Sequence, residues 1–151
     1  MKIGVADLAA VDIRDLITRH QQEMHDNSPP GTSFALDLSG LERPEVTVLS
    51  LREEGELLAV GAMRELDAQS GEVKSMRTAD KALRRGAGQA LLSHIEQLAR
   101  ERGYAKLMLE TGTGDFFEPA NRLYIRNGFT RRGPFGGYAD SEFNLFYEKV
   151  L

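Results

Sequence analysis

The apolar positions of the chain recur with two periods, one typical of strands and one typical of helices. Apolar or alternating runs predict strands at KIGV near the start, at 46–66, 71–78 and 104–111, and at FTRR and 142–150 near the end. Glu54 and Gly55 interrupt the first long run, so we expect two strands joined by a turn there. Residues 104–111 are almost continuously apolar, which is typical of a central strand buried on both faces.

Helical spacing marks three further segments. Asp7 is placed to cap a first helix that runs to about His25, before the prolines of NSPPGTS. The clearest helix covers 86–102 and is followed by a glycine, a common residue at helix ends. Pro119 opens a short helix that Gly128 closes. The stretch FALDLSGLERPE has no clear period and predicts a loop with one helical turn.

Strands and helices alternate along the chain without an internal repeat, a low-complexity tract or a linker. Such alternation predicts one α/β domain over residues 1–151, with helices on both faces of a central sheet. A chain of 151 residues is long enough to bury a substantial core.

Composition narrows the function classes. The net charge of −4 argues against general nucleic-acid binding, which usually needs a basic surface. The absence of cysteine excludes disulfides, thiolate metal sites and a cysteine nucleophile. No apolar run approaches the roughly 18 residues of a membrane helix, and the charged start MKIGVADLAAVDIRD does not resemble a signal peptide. We therefore expect a cytoplasmic enzyme or binding domain that does not associate with membranes.

The three histidines predict no metal site. His20 and His25 point roughly 140° apart on the first predicted helix. His94 lies in another helix among polar neighbours, which is typical of a surface position.

The stretch LRRGAGQALL at 83–92 joins two arginines and two glycines to the start of a helix. A helix dipole disfavours cations at that end, so Arg84 and Arg85 either point into water or flank a bound anion. Free N–H groups at a helix start bind phosphate, and Gly86 and Gly88 let it approach the backbone. The P-loop motif is absent, and the dinucleotide fingerprint lacks its third glycine. These residues alone leave an anion site and a solvated basic turn as alternatives.

The same turn resembles the signature of the GNAT family of N-acetyltransferases, in which a strand is followed by [Q/R]-x-x-G-x-[G/A] and a long helix. Here the signature reads L-R-R-G-A-G, so Leu83 replaces the family's Gln or Arg. A second block, LYIRNGF at 123–129, resembles the family's L-Y-x-x-x-G-F. The resemblance covers 46–151 well and the first helix loosely. The chain also resembles a bacterial branch of the family whose acceptors are mostly unassigned.

The resemblance implies a single GNAT-like α/β domain with a mixed, mostly antiparallel sheet and a splayed strand pair that holds acetyl-coenzyme A (acetyl-CoA). The cofactor's pyrophosphate is then expected at Arg84, Arg85, Gly86, Ala87, Gly88 and Gln89. The backbone expected to pair with the pantetheine arm and the acetyl carbonyl is that of Met76, Arg77 and Thr78.

The resemblance also suggests the catalytic groups. Tyr124 occupies the family's general-acid position, where its hydroxyl protonates the leaving thiolate; considered alone, it fits core packing beside Leu123. Glu110 and Glu72 are alternative bases, and each otherwise fits a rim carboxylate paired with a Lys or Arg. We favour Glu110 because it lies in the apolar strand beside the slot.

A further departure from the family concerns the pantetheine contact. Phe117 stands where many members carry an asparagine, and Asn121, one helical turn before Tyr124, is a candidate to supply an amide instead. An exposed helical asparagine is the alternative interpretation.

The acceptor site of GNATs is built by the first helix, the loop after it and a hairpin near the C-terminus, here residues 25–34 and 135–138. Lys74 and Arg77 add positive charge on the strand KSMR. If either faces the slot, an acceptor with a carboxylate or phosphate is favoured; otherwise they pair with carboxylates such as Glu110 or Glu65.

These expectations together describe an acetyl-CoA-dependent N-acetyltransferase with a small-molecule amine or amino acid as acceptor. A protein or peptide N-acetyltransferase and a non-catalytic acyl-CoA sensor are the alternatives. We also expect a homodimer, because the apolar final segment 142–150 resembles an edge strand, and exposed edges tend to be covered.

Overall fold

The computed structural model describes all 151 residues. The strands are β1 (Lys2–Val5), β2 (Val46–Glu53), β3 (Glu56–Asp67), β4 (Ser70–Thr78), β5 (Lys106–Thr111), β6 (Thr130–Arg132) and β7 (Leu145–Val150). The helices are α1 (Val11–Asp26), α2 (Leu38–Leu41), α3 (Ala87–Glu101) and α4 (Glu118–Arg126), with 3-10 turns at Asp80–Ala82 and Asp115–Phe117. Every predicted strand and helix is present, including the helical turn in FALDLSGLERPE.

The seven strands form one sheet in the order β1-β2-β3-β4-β5-β7-β6. All neighbours are antiparallel except β4 and β5. That parallel pair is joined only from Ser70 to Glu72, opposite Lys106 to Met108, and the strands part beyond these residues. The mixed, mostly antiparallel sheet with a splayed strand pair is therefore confirmed.

Apolar side chains pack on both faces of this sheet. On one face α3 packs through Leu91, Leu92 and Ile95, and on the other α1 packs through Ile13 and Ile17. Full burial of one such side chain contributes about 1.5–3 kcal/mol, so both helices are anchored to the strands that carry the site. The longest helix has 16 residues, and no helix is both long and apolar enough to cross a membrane.

A β-bulge in β4 lies just beyond the point where the two parallel strands part. Gly61 of β3 alone lies opposite two residues of β4, Ser75 and Met76. Ser75 adopts a φ of 56°, and a Cβ on Gly61 would lie 2.6 Å from the sulfur of Met76. Only glycine therefore accommodates the bulge, which aligns the end of β4 along the gap.

The start of α1 differs from the prediction. The helix begins at Val11 rather than directly after Asp7. The Asp7 carboxylate accepts a hydrogen bond from the N–H of Ala9 (2.9 Å) and so caps a turn that precedes the helix.

The position of the last strand also differs from the prediction. β7 begins at Leu145 and lies between β5 and β6, paired on both sides. The three-residue β6 forms the sheet edge instead, and so short an edge offers little to pair with. The expectation of an uncovered edge at 142–150 is wrong, and the homodimer stays a prediction without that support.

Candidate active site

A cavity of about 460 Å³ opens where β4 and β5 part. Its walls come from α1, from β4, from β5, and from the N-terminal end of α3 together with α4. It brings together six of the predicted site residues: Met76, Arg77, Thr78, Gly88, Glu110 and Tyr124.

The wall formed by the end of β4 is an open strand edge. Met76 belongs to the bulge, and Arg77 and Thr78 follow it and pair with β3. On the other side, β5 pairs with β4 only as far as Glu72. Backbone groups in such a place need partners, and an extended ligand arm laid along the edge supplies them as an added strand does. This edge therefore fits a pantetheine arm.

The N-terminal end of α3 forms a second wall. Gly86 caps the helix with a φ of 79° and no side-chain hydrogen bond, so the first N–H groups have no side-chain partner. A Cβ on Gly88 would meet only Leu123 (3.5 Å) and Thr78 (3.8 Å), and it would project from a residue that lines the cavity. Ala87 is buried in the core. The turn thus exposes backbone N–H groups at the positive end of the helix dipole, and this arrangement fits a diphosphate.

The polar side chains of this turn are held differently from one another. Arg84 is exposed, with a φ of 65°. Arg85 forms an ion pair with Glu53. Gln89 exchanges amide hydrogen bonds with Asn127 (2.7 and 2.8 Å), which ties α3 to the end of α4. The Gln89 side chain is therefore engaged within the protein, and its backbone is the part open to a cofactor.

Tyr124 lies on α4 with only 6% of its surface exposed, in edge-to-face contact with Phe129 (5.8 Å between ring centres). Burial raises the pKa of the Tyr124 hydroxyl, and the nearby carboxylate of Glu110 raises it further. The hydroxyl therefore keeps its proton at neutral pH and is available as a proton donor in the cavity.

Glu110 lies on β5, opposite the open edge of β4. Burial raises the pKa of its carboxyl, and a hydrogen bond from the amide of Asn144 (2.8 Å) opposes that shift. Asn144 also donates to the carbonyl of Thr32 (3.0 Å), in the loop after α1. Glu110 is thus held in place by a buried amide. The pKa of its carboxyl lies closer to neutral pH than that of an exposed carboxyl.

Glu72, the alternative base, does not line the cavity. It is fully buried, and its two oxygens accept hydrogen bonds from Arg64 (2.7 Å) and the hydroxyl of Tyr138 (2.6 Å). A carboxylate with both oxygens occupied and no contact with the cavity is poorly placed to take a proton from a substrate.

Asn121 also lies outside the cavity lining. Its amide donates to the carbonyls of Gly112 and Phe117 (3.0 Å each) and accepts from the Tyr147 hydroxyl (2.8 Å). These bonds join the short helix to β5 and β7, so the side chain is engaged within the protein.

Two polar residues of α1 that line the cavity, His20 and Glu23, were not predicted. His20 is 6% exposed and the Nδ1 atom of its ring has no hydrogen-bond partner. Burial, with the nearby positive charge of Arg77, lowers the pKa of His20 to about 4, so the ring is neutral. Glu23 forms an ion pair with Arg77 across the cavity wall. The signal for His20 was its place on the apolar stripe of α1, one turn after Leu16 and Ile17.

Comparison with known proteins settles the family. The profile described as "Acetyltransferase (GNAT) family" matches residues 10–129. The chain belongs to the GNAT family. The resemblance in the two sequence blocks is therefore confirmed, and the enzyme is an N-acetyltransferase with acetyl-CoA as its donor.

Relatives of this GNAT include both curated proteins and solved structures. It is 41% identical to the uncharacterized N-acetyltransferase YsnE of Bacillus subtilis (strain 168), over the full length of both chains. It is 36% identical to the IAA acetyltransferase of Azospirillum brasilense, covering 90% of this chain and 88% of that protein. A solved acyl-CoA N-acyltransferase structure from Klebsiella pneumoniae shares 28% identity at a TM-score of 0.83, covering 99% and 97% of the two chains.

Proposed function

We propose that this GNAT transfers the acetyl group of acetyl-CoA to the amine of a small molecule or an amino acid. The observation that carries the proposal is that Glu110 and Tyr124 line the same cavity as Gly88 and the open edge of β4. A base and an acid therefore share one enclosure with the backbone that fits the donor.

The proposed mechanism assigns one proton transfer to each group. Acetyl-CoA supplies an activated acyl carbon as its thioester. The carboxylate of Glu110 takes a proton from the acceptor ammonium, directly or through a water, and frees the lone pair that forms the new C–N bond. As the C–S bond breaks, the hydroxyl of Tyr124 gives its proton to the thiolate sulfur. The acyl-bearing nitrogen loses its second proton through solvent, which returns a proton to Tyr124, and Glu110 releases the first proton to water.

Contacts at the acceptor end support a small acceptor. The rings of Phe34 and Tyr138 meet edge to face at 5.0 Å. The amide of Asn144 holds the carbonyl of Thr32 at 3.0 Å. The loop after α1 and the loop between β6 and β7 therefore close over the Glu110 side, which favours a pocket over the open groove that a protein substrate needs.

A free-thiol release assay tests the transfer. The purified chain is given acetyl-CoA with a panel of amines, amino acids and peptides, and acetylated products are identified by mass spectrometry. We expect turnover with small amines or amino acids. Saturable acetyl-CoA binding without turnover on any amine would favour a sensor, and turnover on peptides alone would favour a protein acetyltransferase.

Tyr124→Phe tests the acid. The substitution removes one hydroxyl and little packing, so acetyl-CoA affinity should stay near that of the wild type. Acid–base groups contribute about 10²–10⁴-fold, so kcat should fall by that factor when chemistry limits the rate. Tyr104→Phe is the matched control, because Tyr104 is another buried tyrosine whose hydroxyl binds Glu65 (3.0 Å) outside the cavity. Full turnover by Tyr124→Phe would remove the assignment.

A further inference from the structure

A cluster of charged side chains, with Glu72 and Lys74 buried and Arg64 partly exposed, borders the acceptor end of the cavity. Glu72 binds both Arg64 (2.7 Å) and the hydroxyl of Tyr138 (2.6 Å). The ammonium of Lys74 donates to the same hydroxyl (2.7 Å) and lies 3.5 Å from Glu72. In these direct contacts two cations, Arg64 and Lys74, share the carboxylate of Glu72.

Lys74 is the member of this cluster that lines the cavity. Its side chain is only 7% exposed, and a buried charge is costly unless it is paired. Burial accordingly lowers the pKa of Lys74, although the neighbouring Glu72 opposes that shift. An ammonium has three N–H donors, and the Tyr138 hydroxyl and Glu72 account for at most two of them. The remaining donor is available to a ligand in the cavity.

Glu110 lies level with Lys74 on the other side of the gap. The last pair of the parallel register joins Glu72 to Met108, and two residues further along each strand stand Lys74 and Glu110. Both line the cavity, and the only ion-pair partner of Lys74 is Glu72. An ammonium and a carboxylate therefore face the same space from two diverging strands.

Arg77, the other cation on this strand, is already satisfied. It forms an ion pair with Glu23 of α1, and its side chain is 14% exposed. A ligand anion at Arg77 would have to compete with Glu23, whereas Lys74 pairs directly only with Glu72 and interacts with Glu110 at longer range.

We propose that Lys74 binds a carboxylate of the acceptor, and that the acceptor is a small amine with a carboxylate next to its amino group, such as a free α-amino acid. The assignment rests on the proposed transferase function. Glu110 then receives the ammonium of the zwitterion while Lys74 receives its carboxylate, so each charge of the substrate meets its opposite. A charge-assisted hydrogen bond in a buried site also imposes direction, which aims the amino group at the base.

Matched acceptors test this assignment. Sets of three share one side chain: leucine, leucinamide and 3-methylbutylamine, with the corresponding sets for phenylalanine and methionine. The wild-type kcat/KM, corrected for the fraction of free amine, should favour the acid by about 10- to 100-fold over the amide and the decarboxylated amine, the range of a hydrogen bond to a charged group.

Lys74→Met should remove that preference. The kcat/KM for the acid should fall about 10- to 100-fold, mainly through KM, while the rate on the decarboxylated amine should stay within a few-fold of the wild type. Lys74→Arg keeps the charge and should retain part of the preference. Lys149→Met is the control for loss of a half-buried lysine, since Lys149 pairs with Glu96 (3.0 Å) away from the cavity. A melting-temperature rise with acetyl-CoA shows that each variant is folded.

The outcomes distinguish the role of Lys74 from the proposed transferase function. Equal wild-type rates on acid and decarboxylated amine, or a preference that survives in Lys74→Met, would overturn the role of Lys74 and leave the transferase intact. Absence of transfer to every amine in the sets and in the wider panel would overturn the proposed function and this assignment with it.

Discussion

Two glutamates on neighbouring strands show how strongly the surroundings set the chemistry of a residue. Glu72 has its oxygens bound by Arg64 and Tyr138. Glu110 faces the cavity with a single amide partner, Asn144, and burial raises the pKa of its carboxyl. Glu72 is therefore a counter-ion, whereas Glu110 is the residue that we propose as the base, because a base needs an oxygen that a substrate proton reaches.

Glu110→Gln tests that difference. Because the pKa of Glu110 is raised, kcat/KM in the wild type should fall with decreasing pH through a limb above the usual carboxyl range. The glutamine amide does not titrate in this pH range, so this limb should be absent from the profile of the variant. The rate of the variant should also fall by about 10²–10⁴-fold. Glu72→Gln should lower stability but keep the limb.

The acceptor's own ammonium titrates as well, so the profiles of Glu110→Gln and the wild type should be measured with two acceptors whose amines differ in pKa. A limb that follows the acceptor and is unchanged in Glu110→Gln would contradict the assignment. A limb lost in Glu72→Gln alone would transfer the role to that residue.

At the scale of elements, the start of α3 combines a helix end that lacks a side-chain cap with one glycine, Gly88, that lines the cavity. Gly86 supplies the left-handed residue that turns the chain into the helix, whereas Gly88 sits inside the first turn without a positive φ. A helical glycine costs about 0.5–1 kcal/mol relative to alanine. The space above Gly88 is therefore kept open at some expense of stability, which is expected where a ligand approaches the backbone.

Gly88→Ala should separate stability from cofactor binding. The new Cβ makes only ordinary contacts with Leu123 and Thr78, so the free energy of unfolding should stay constant or rise by up to about 1 kcal/mol. Acetyl-CoA affinity, measured by calorimetry, should nevertheless fall. Gly133→Ala is the control, because a Cβ there meets open space. Wild-type affinity in Gly88→Ala would contradict close approach of the cofactor at this turn.

At the scale of the whole molecule, the interface between α1 and the sheet contains a titratable group. His20 is buried there as a neutral ring with a pKa of about 4, whereas the unfolded chain binds that proton near pH 6.5. Between these two values the unfolded state holds more protons than the folded state. Acidification through this window therefore favours unfolding, and the loss approaches about 1.4 kcal/mol per pH unit.

His20→Gln should flatten this dependence. Urea titrations at pH 7 and pH 5 should show a smaller loss of stability in the variant than in the wild type, because glutamine binds no proton. His25→Gln, at an exposed position of the same helix, should keep the wild-type slope. An unchanged pH dependence in His20→Gln would show that the ring is not buried as a neutral group.

Features that depend on near neighbours were predictable from the sequence. The spacing of apolar residues in α3, the turn at Glu54 and Gly55, and the short helix opened by Pro119 all appear where the pattern places them. From the two GNAT blocks, Gly88 and Tyr124 lie in the cavity lining. Periodicity, turn chemistry and capping act over a few residues, so a linear pattern contains the information they need.

The roles of individual polar side chains were settled only by tertiary contacts. Glu72 meets Tyr138 from 66 positions away, and Glu110 meets Asn144 from 34, so no local pattern distinguishes the buried counter-ion from the cavity carboxylate. The position of β7 between β5 and β6 was likewise not predictable from the sequence, because strand order depends on pairing across the whole chain. Burial and charge partners, which set pKa values and access to the cavity, arise from packing between distant segments.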